Sequence, residues 1–175
     1  MNKIPYLVPM SMTRQLAEGH RYTKLLESQT VPVEIMLCRT PSGEAVSRIA
    51  CQAMATKISP TPKYVCVADP DRVCCDSNNN YKPNLSNIED AINFLESNND
   101  FGAISLTYPS KGREEDDKNP HIDIGFVLYR MDILMKLKFD YEREQHCFCL
   151  TVTKQIRDMG YRFGYLDNLN RITHF

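Results

Sequence analysis

Apolar positions in this chain fall at two spacings, and the change from one to the other coincides with turn residues. The run Val33-Glu34-Ile35-Met36-Leu37-Cys38 is too short for a helix and lies between Pro32 and Thr40-Pro41-Ser42-Gly43, which predicts a strand. From Glu44 onward Val46, Ile49, Ala50, Ala53 and Met54 recur at helical spacing, predicting a helix that ends before Pro60. Tyr64-Val65-Cys66-Val67-Ala68 is almost continuously apolar, as expected of a strand covered on both faces in a parallel sheet. Ser86 and Glu89 form a capping box ahead of the stripe Ile88, Ala91, Ile92 and Leu95, and Asn98-Asn99-Asp100 ends that helix. The pattern then predicts strands over 101–106 and 122–129 and a short helix over 131–137. A last helix is marked by Cys149, Val152, Ile156 and Met159 and closed by Gly160, and a final strand follows over 161–166. Weaker signals are a strand over 4–12 interrupted by Pro5 and Pro9, and a helical segment over 22–28.

Strands alternating with helices define an α/β class with a mostly parallel sheet flanked by helices. A length of 175 residues and an apolar content of 42% suit one filled core, so residues 1–175 are read as a single domain without internal repeats. Residues 76–83 form a polar loop, and 110–119 contain no apolar member, which predicts a flexible, charged excursion over 110–120.

The formal net charge of −1, with Lys and Arg dispersed, argues against nucleic acid as the main partner. No stretch has the apolar length of a bilayer span and residues 1–11 lack a signal-peptide core, so a cytoplasmic location is expected. Of seven cysteines, Cys38, Cys51 and Cys66 lie in apolar runs and are read as buried reduced thiols. Cys74-Cys75 and Cys147-Phe148-Cys149 with His146 do not have the spacing of a zinc knuckle.

The candidate chemistry centres on Asp69-Pro70-Asp71. This motif follows the most apolar strand, and open α/β sheets bind ligands outside the carboxyl ends of their strands. In extended chain, which Pro70 favours at Asp69, the two carboxylates face one way. They repel unless a cation sits between them, so the motif is either a site for a hard divalent ion such as Mg²⁺ or Mn²⁺ or a solvated turn.

Other segments fit the first reading. Residues 26–35, running Leu-Glu-Ser-Gln-Thr into Val33-Glu34-Ile35, then Ser42-Gly43, Ser47-Arg48 and Tyr64 to Asp71, resemble in order and interval the opening half of inverting family 2 glycosyltransferases. Residues 122–130, Lys138-Phe139-Asp140 and 156–165 resemble the acceptor-side strand, its Gly-Phe-Asp and the last helix of that family. The resemblance implies a GT-A fold of the nucleotide-diphospho-sugar transferase superfamily and transfer of a sugar from a nucleotide diphosphate sugar to a glycan or other hydroxyl acceptor. It would give Asp69 and Asp71 the metal and donor diphosphate, Arg48 a phosphate contact, and His174 the place of a third metal ligand.

The sequence departs from the family in two places. Cys38-Arg39 stands where an acidic residue meets the nucleotide base, and His146 to Cys149 stands where a carboxylate general base begins the last helix. Glu142, Glu144 and His146 are the neighbouring candidates for the base, with Glu144 preferred, and Asp123 is a second catalytic candidate, facing the pocket from its strand. His121, Lys111 and Arg113 border the charged excursion, which could close over a nucleotide. No Gly-rich, Lys/Arg-bearing loop follows the opening strand, which argues against a nucleotidyltransferase. The rival class is a catalytically silent GT-A-like module that binds a nucleotide or glycan or acts as a partner subunit. The short chain leaves room for a protein partner or a homo-oligomer.

Overall fold

The structure, a computed structural model, describes residues 4–10, 33–39, 44–69, 88–106, 121–139, 148–166 and 172–174. Its elements in chain order are β1 (Ile4–Met10), β2 (Val33–Arg39), α1 (Glu44–Ala55), β3 (Tyr64–Ala68), α2 (Ile88–Ser97), β4 (Phe101–Ser105), β5 (Phe126–Arg130), α3 (Met131–Lys136), α4 (Phe148–Asp158), β6 (Arg162–Leu166) and β7 (Ile172–His174). The strands form one sheet in the order β2-β1-β3-β5-β4-β6-β7. β1 pairs in parallel with β2 and β3, and β4 with β6, whereas β5 is antiparallel to both β3 and β4, and β7 to β6. Five strands therefore run one way and β5 and β7 the other, a mostly parallel sheet flanked by helices.

Side-chain alternation divides the core into two layers. Leu7, Val65, Val67, Val127, Tyr129 and Phe163 point to the face carrying α1, α3 and α4, where they meet Ala45, Cys51, Ile133, Val152 and Ile156. Tyr6, Cys66, Ala68, Ile104, Phe126 and Leu128 point to the other face, onto Ile88, Ala91 and Leu95 of α2. β3 is buried at every position because both of its faces are covered, as its unbroken apolar run requires. One of its neighbours, β5, is nevertheless antiparallel, which the run could not reveal: double coverage depends on the layers, not on strand direction.

The predicted strand over 122–129 starts only at Phe126, because residues 121–125 form a turn. The helical segment over 22–28, the loop over 76–83, Ser86 of the capping box and the excursion over 110–120 lie outside the described residues. Gly160 ends α4 with a φ of +82°, and the Tyr161 amide donates to the Ile156 carbonyl across it, so the predicted stop is a left-handed glycine cap. No helix among the described residues is long and apolar enough to cross a membrane.

Arg130 is the keystone at the amino end of β3. It is buried, and its guanidinium donates from Nε to the Phe101 carbonyl at 2.7 Å and from one terminal nitrogen to the Leu95 and Asn98 carbonyls. Those carbonyls close α2 and begin β4, so a fixed positive charge sits at the negative end of the helix dipole. Arg130→Met should lower the unfolding free energy by about 3 kcal/mol, through three carbonyls left without a charged donor. Urea denaturation checks the magnitude, and amide exchange should show the last turn of α2 opening first.

Candidate functional site at the carboxyl end of the third strand

Asp69 leaves β3 at its carboxyl end, and its amide donates to the Gly125 carbonyl at 2.7 Å, extending the β3–β5 ladder by one rung. Its side chain is 29% exposed, and Oδ1 lies 2.7 Å from a terminal guanidinium nitrogen of Arg48. Arg48 projects from α1, is 2% exposed as a residue, and donates from its other terminal nitrogen to the Ile124 carbonyl at 3.0 Å. It is not a surface helix arginine. Burial opposes its charge, but the Asp69 carboxylate outweighs that cost and holds the guanidinium protonated well above its ordinary range. The nitrogen facing Asp69 is close in distance but not aimed along a hydrogen bond, and Nε has no partner, so the pair is held by charge more than by alignment.

Both residues meet the turn at 121–125, which is fastened from every side. The Gly125 amide donates to Asp123 Oδ1 at 2.9 Å, the Ser105 hydroxyl to the Asp123 carbonyl at 2.9 Å, and the Ile122 amide to the Thr153 hydroxyl at 2.8 Å. The Tyr165 hydroxyl donates to the His121 carbonyl. The expectation that Asp123 faces a pocket from a strand is corrected here: it is in the turn, 3% exposed, with one oxygen closing an Asx turn onto Gly125. The signal was present as Asp123-Ile124-Gly125, an Asx-turn pattern inside an apolar run that was read as strand. The importance of the Ile124 and Gly125 carbonyls had no signal, because backbone groups carry none in a sequence.

Cys38, Cys51 and Cys66 are buried thiols as expected, and Cys149 joins them in the core of α4. A hydrogen bond to Cys38, together with burial, pushes the Cys51 thiol far up, so it stays protonated one turn beyond Arg48. Burial likewise pushes the Tyr129 phenol up.

Asp71 and Glu144 lie outside the described residues. His174 is in β7, where its backbone pairs with Gly164 and so shares a row with Ile104, Leu128 and Cys66. Four strand spacings separate that position from β3, about 19 Å at roughly 4.8 Å per strand. Among the described residues no three His, Cys, Asp or Glu side chains converge as a metal site. Asp69 alone fits a hard divalent ion, since its carboxylate is partly open at the sheet edge, but one of its oxygens is already shared with a cation.

No protein-family model matches this chain, and no curated protein matches it. Among solved structures it is similar to a Drosophila β-1,4-galactosyltransferase 7 mutant in complex with manganese, UDP-Gal and xylobiose. That likeness has a TM-score of 0.57 and 14% identity, over 100% of this chain and 71% of that one. A second similar structure is 4-diphosphocytidyl-2C-methyl-D-erythritol synthase from Anaerococcus prevotii, with a TM-score of 0.45 and 8% identity, over 98% of this chain and 92% of that one. The first likeness shows the fold alone: the chain shares the mixed α/β fold of that galactosyltransferase structure.

Arg48→Met should destabilise the protein by about 3 kcal/mol, because Asp69 loses its cation and Ile124 its donor. Asp69→Asn should cost at least as much, roughly 3–5 kcal/mol, since it leaves the buried guanidinium without its anion, whereas the partly exposed Asp69 left by Arg48→Met can be hydrated. A double-mutant cycle by chemical denaturation checks both, and a coupling energy near zero would show that the two groups do not interact.

Proposed function

We propose that this protein is a glycosyltransferase that moves a sugar from a nucleotide diphosphate sugar to a glycan or other hydroxyl acceptor, with Mn²⁺ or Mg²⁺ at Asp69 and Asp71. The observation that carries the reading is the partly exposed Asp69 carboxylate at the carboxyl end of a central strand, anchored by a buried arginine within a GT-A-like sheet. When bound, the metal supplies charge neutralisation for the leaving diphosphate. Asp69 and Asp71 present the carboxylates that hold it. Arg48 fixes Asp69 and the turn at 121–125, so its contribution is to set the carboxylate's position rather than to reach out to a phosphate.

Transfer to a hydroxyl needs a group that takes the acceptor proton. Asp123 is buried and engaged in its turn, which leaves Glu144 as the preferred base. In-line attack with inversion, as in family 2, is part of the proposal through the sequence resemblance. The galactosyltransferase likeness supports the use of a nucleotide sugar and a metal by analogy of fold.

The alternative of a catalytically silent nucleotide- or glycan-binding module draws on the engagement of Asp123 in its turn.

The test is a thermal-shift screen of uridine, guanosine, cytidine and thymidine diphosphates with and without Mn²⁺. One nucleotide should raise Tm by roughly 5–10 °C at a hundredfold excess over its Kd, only with metal, and Asp69→Ala with Asp71→Ala should abolish the shift. Turnover of the matching nucleotide sugar then separates the enzyme from the silent module. No shift with any nucleotide would overturn the transferase reading and the nucleotide-binding form of the silent module.

A further inference from the structure

The buried stripe of α1 is Ala45, Arg48, Cys51 and Ala55, spaced at three and four residues so that one side of the helix lies on the sheet. β2 is at the edge of that sheet, and Cys38, near the strand's carboxyl end, belongs to the same layer of the core as Cys51. The two sulfurs meet there. The Cys51 thiol donates a hydrogen bond to the Cys38 sulfur, and the Cys38 thiol donates to the Met36 carbonyl at 3.7 Å. Among the described cysteines this pairing has no competitor: Cys66 points to the opposite layer, and Cys149 is in α4, which packs on β6, five strand spacings from β2.

The two thiols are not equivalent. The hydrogen bond from Cys51 holds the Cys38 titration below its ordinary value against the effect of burial, and the Val8 backbone adds to it. The same bond, with burial, pushes Cys51 up, so Cys51 keeps its proton and Cys38 is the sulfur better able to carry negative charge. A thiolate is the form that attacks a peroxide, and a second thiol already in contact with it is placed to displace the oxidised product. Burial decides the oxidant, since both residues are nearly closed to solvent. A small uncharged peroxide can enter beside the edge strand, whereas a bulky disulfide reagent is kept out.

We propose that Cys38 and Cys51 are a peroxide-oxidisable dithiol whose disulfide ties α1 to β2. The Cys38 thiolate attacks one peroxide oxygen, the O–O bond breaks, and the departing hydroxide takes up the proton that Cys38 gave up, leaving a Cys38 sulfenic acid and water. The Cys51 sulfur then attacks the Cys38 sulfur, the S–O bond breaks, and the hydroxide leaves as water with the Cys51 proton. Two thiols and one hydrogen peroxide thus give one disulfide and two waters, each sulfur losing one electron and the peroxide gaining two. A disulfide is about 2.05 Å long, so the sulfurs close from hydrogen-bonding to bonding distance, and α1 shifts against β2 to let them. Arg48 is one turn from Cys51 on the same stripe, which carries that shift to its pair with Asp69. A thiol reductant reverses the change. This assignment does not depend on the sugar-transfer reading.

The experiment treats the native full chain with hydrogen peroxide, alkylates the remaining thiols and maps the tryptic peptides by mass spectrometry. The expected product is a linked pair of peptides 25–39 and 49–57, each with one cysteine, two hydrogens lighter than their sum. It should form while Cys66 and Cys149 are still recovered alkylated, and dithiothreitol should remove it. Cys51→Ala should leave a Cys38 sulfenic acid that dimedone captures, and Cys38→Ala should slow the oxidation of Cys51 at least roughly tenfold. In ¹⁵N–¹H spectra the amides of Arg48, Asp69 and Gly125 should shift on oxidation and return on reduction. Because the mapping uses the unaltered chain, it does not rest on how either variant folds. Cys38 and Cys51 both recovered alkylated after peroxide, or linked only once urea has unfolded the chain, would overturn the proposal. Linkage without the amide shifts would overturn the coupling to Asp69.

Discussion

Arg48 carries a charge that it cannot lose and sits where water does not reach, so the structure around it must supply an anion and backbone acceptors. Asp69 provides the anion and Ile124 a carbonyl. Through these two contacts a helix residue fixes the end of β3 and the turn that opens β5, elements distant from one another in the chain. The turn in turn draws in Ser105 of β4, Thr153 of α4 and Tyr165 of β6. The carboxyl edge of the sheet is thus built inward from one buried charge, and the partly exposed Asp69 carboxylate is the point at which that network meets solvent.

The opposite edge follows the same logic with different partners. Arg130 is also buried, but it uses carbonyls at the end of α2 and the start of β4 and lies 5.8 Å from the ring centroid of Tyr64. The two arginines anchor the two ends of the strand pair β3 and β5, the antiparallel pair at the centre of the sheet. Placing the Asp69 carboxylate on so firmly anchored a base favours a fixed orientation over mobility.

Much of this architecture was legible along the chain. The apolar run at Tyr64 to Ala68, the helical stripes around Ala50 and Ala91, and the stop at Gly160 specify strand, helix and cap because each depends on spacing within a few residues. The placing of Asp69 at a strand end was legible for the same reason. Residues 122–125 misled because Ile122 and Ile124 alternate with polar positions as a strand would, while the Asx turn of Asp123 onto Gly125 overrides that pattern.

What the sequence determined by itself was therefore local: which segments are strands or helices, which cysteines are buried, and where a carboxylate motif would meet the sheet edge. Only the tertiary structure decided the rest. It made β5 antiparallel between β3 and β4, set β7 at the sheet edge beyond β6, and made Arg48 of α1 the buried partner of Asp69. Strand order and charge pairing join residues dozens of positions apart, and periodicity within a window of a few turns carries no record of which distant partner the chain will meet.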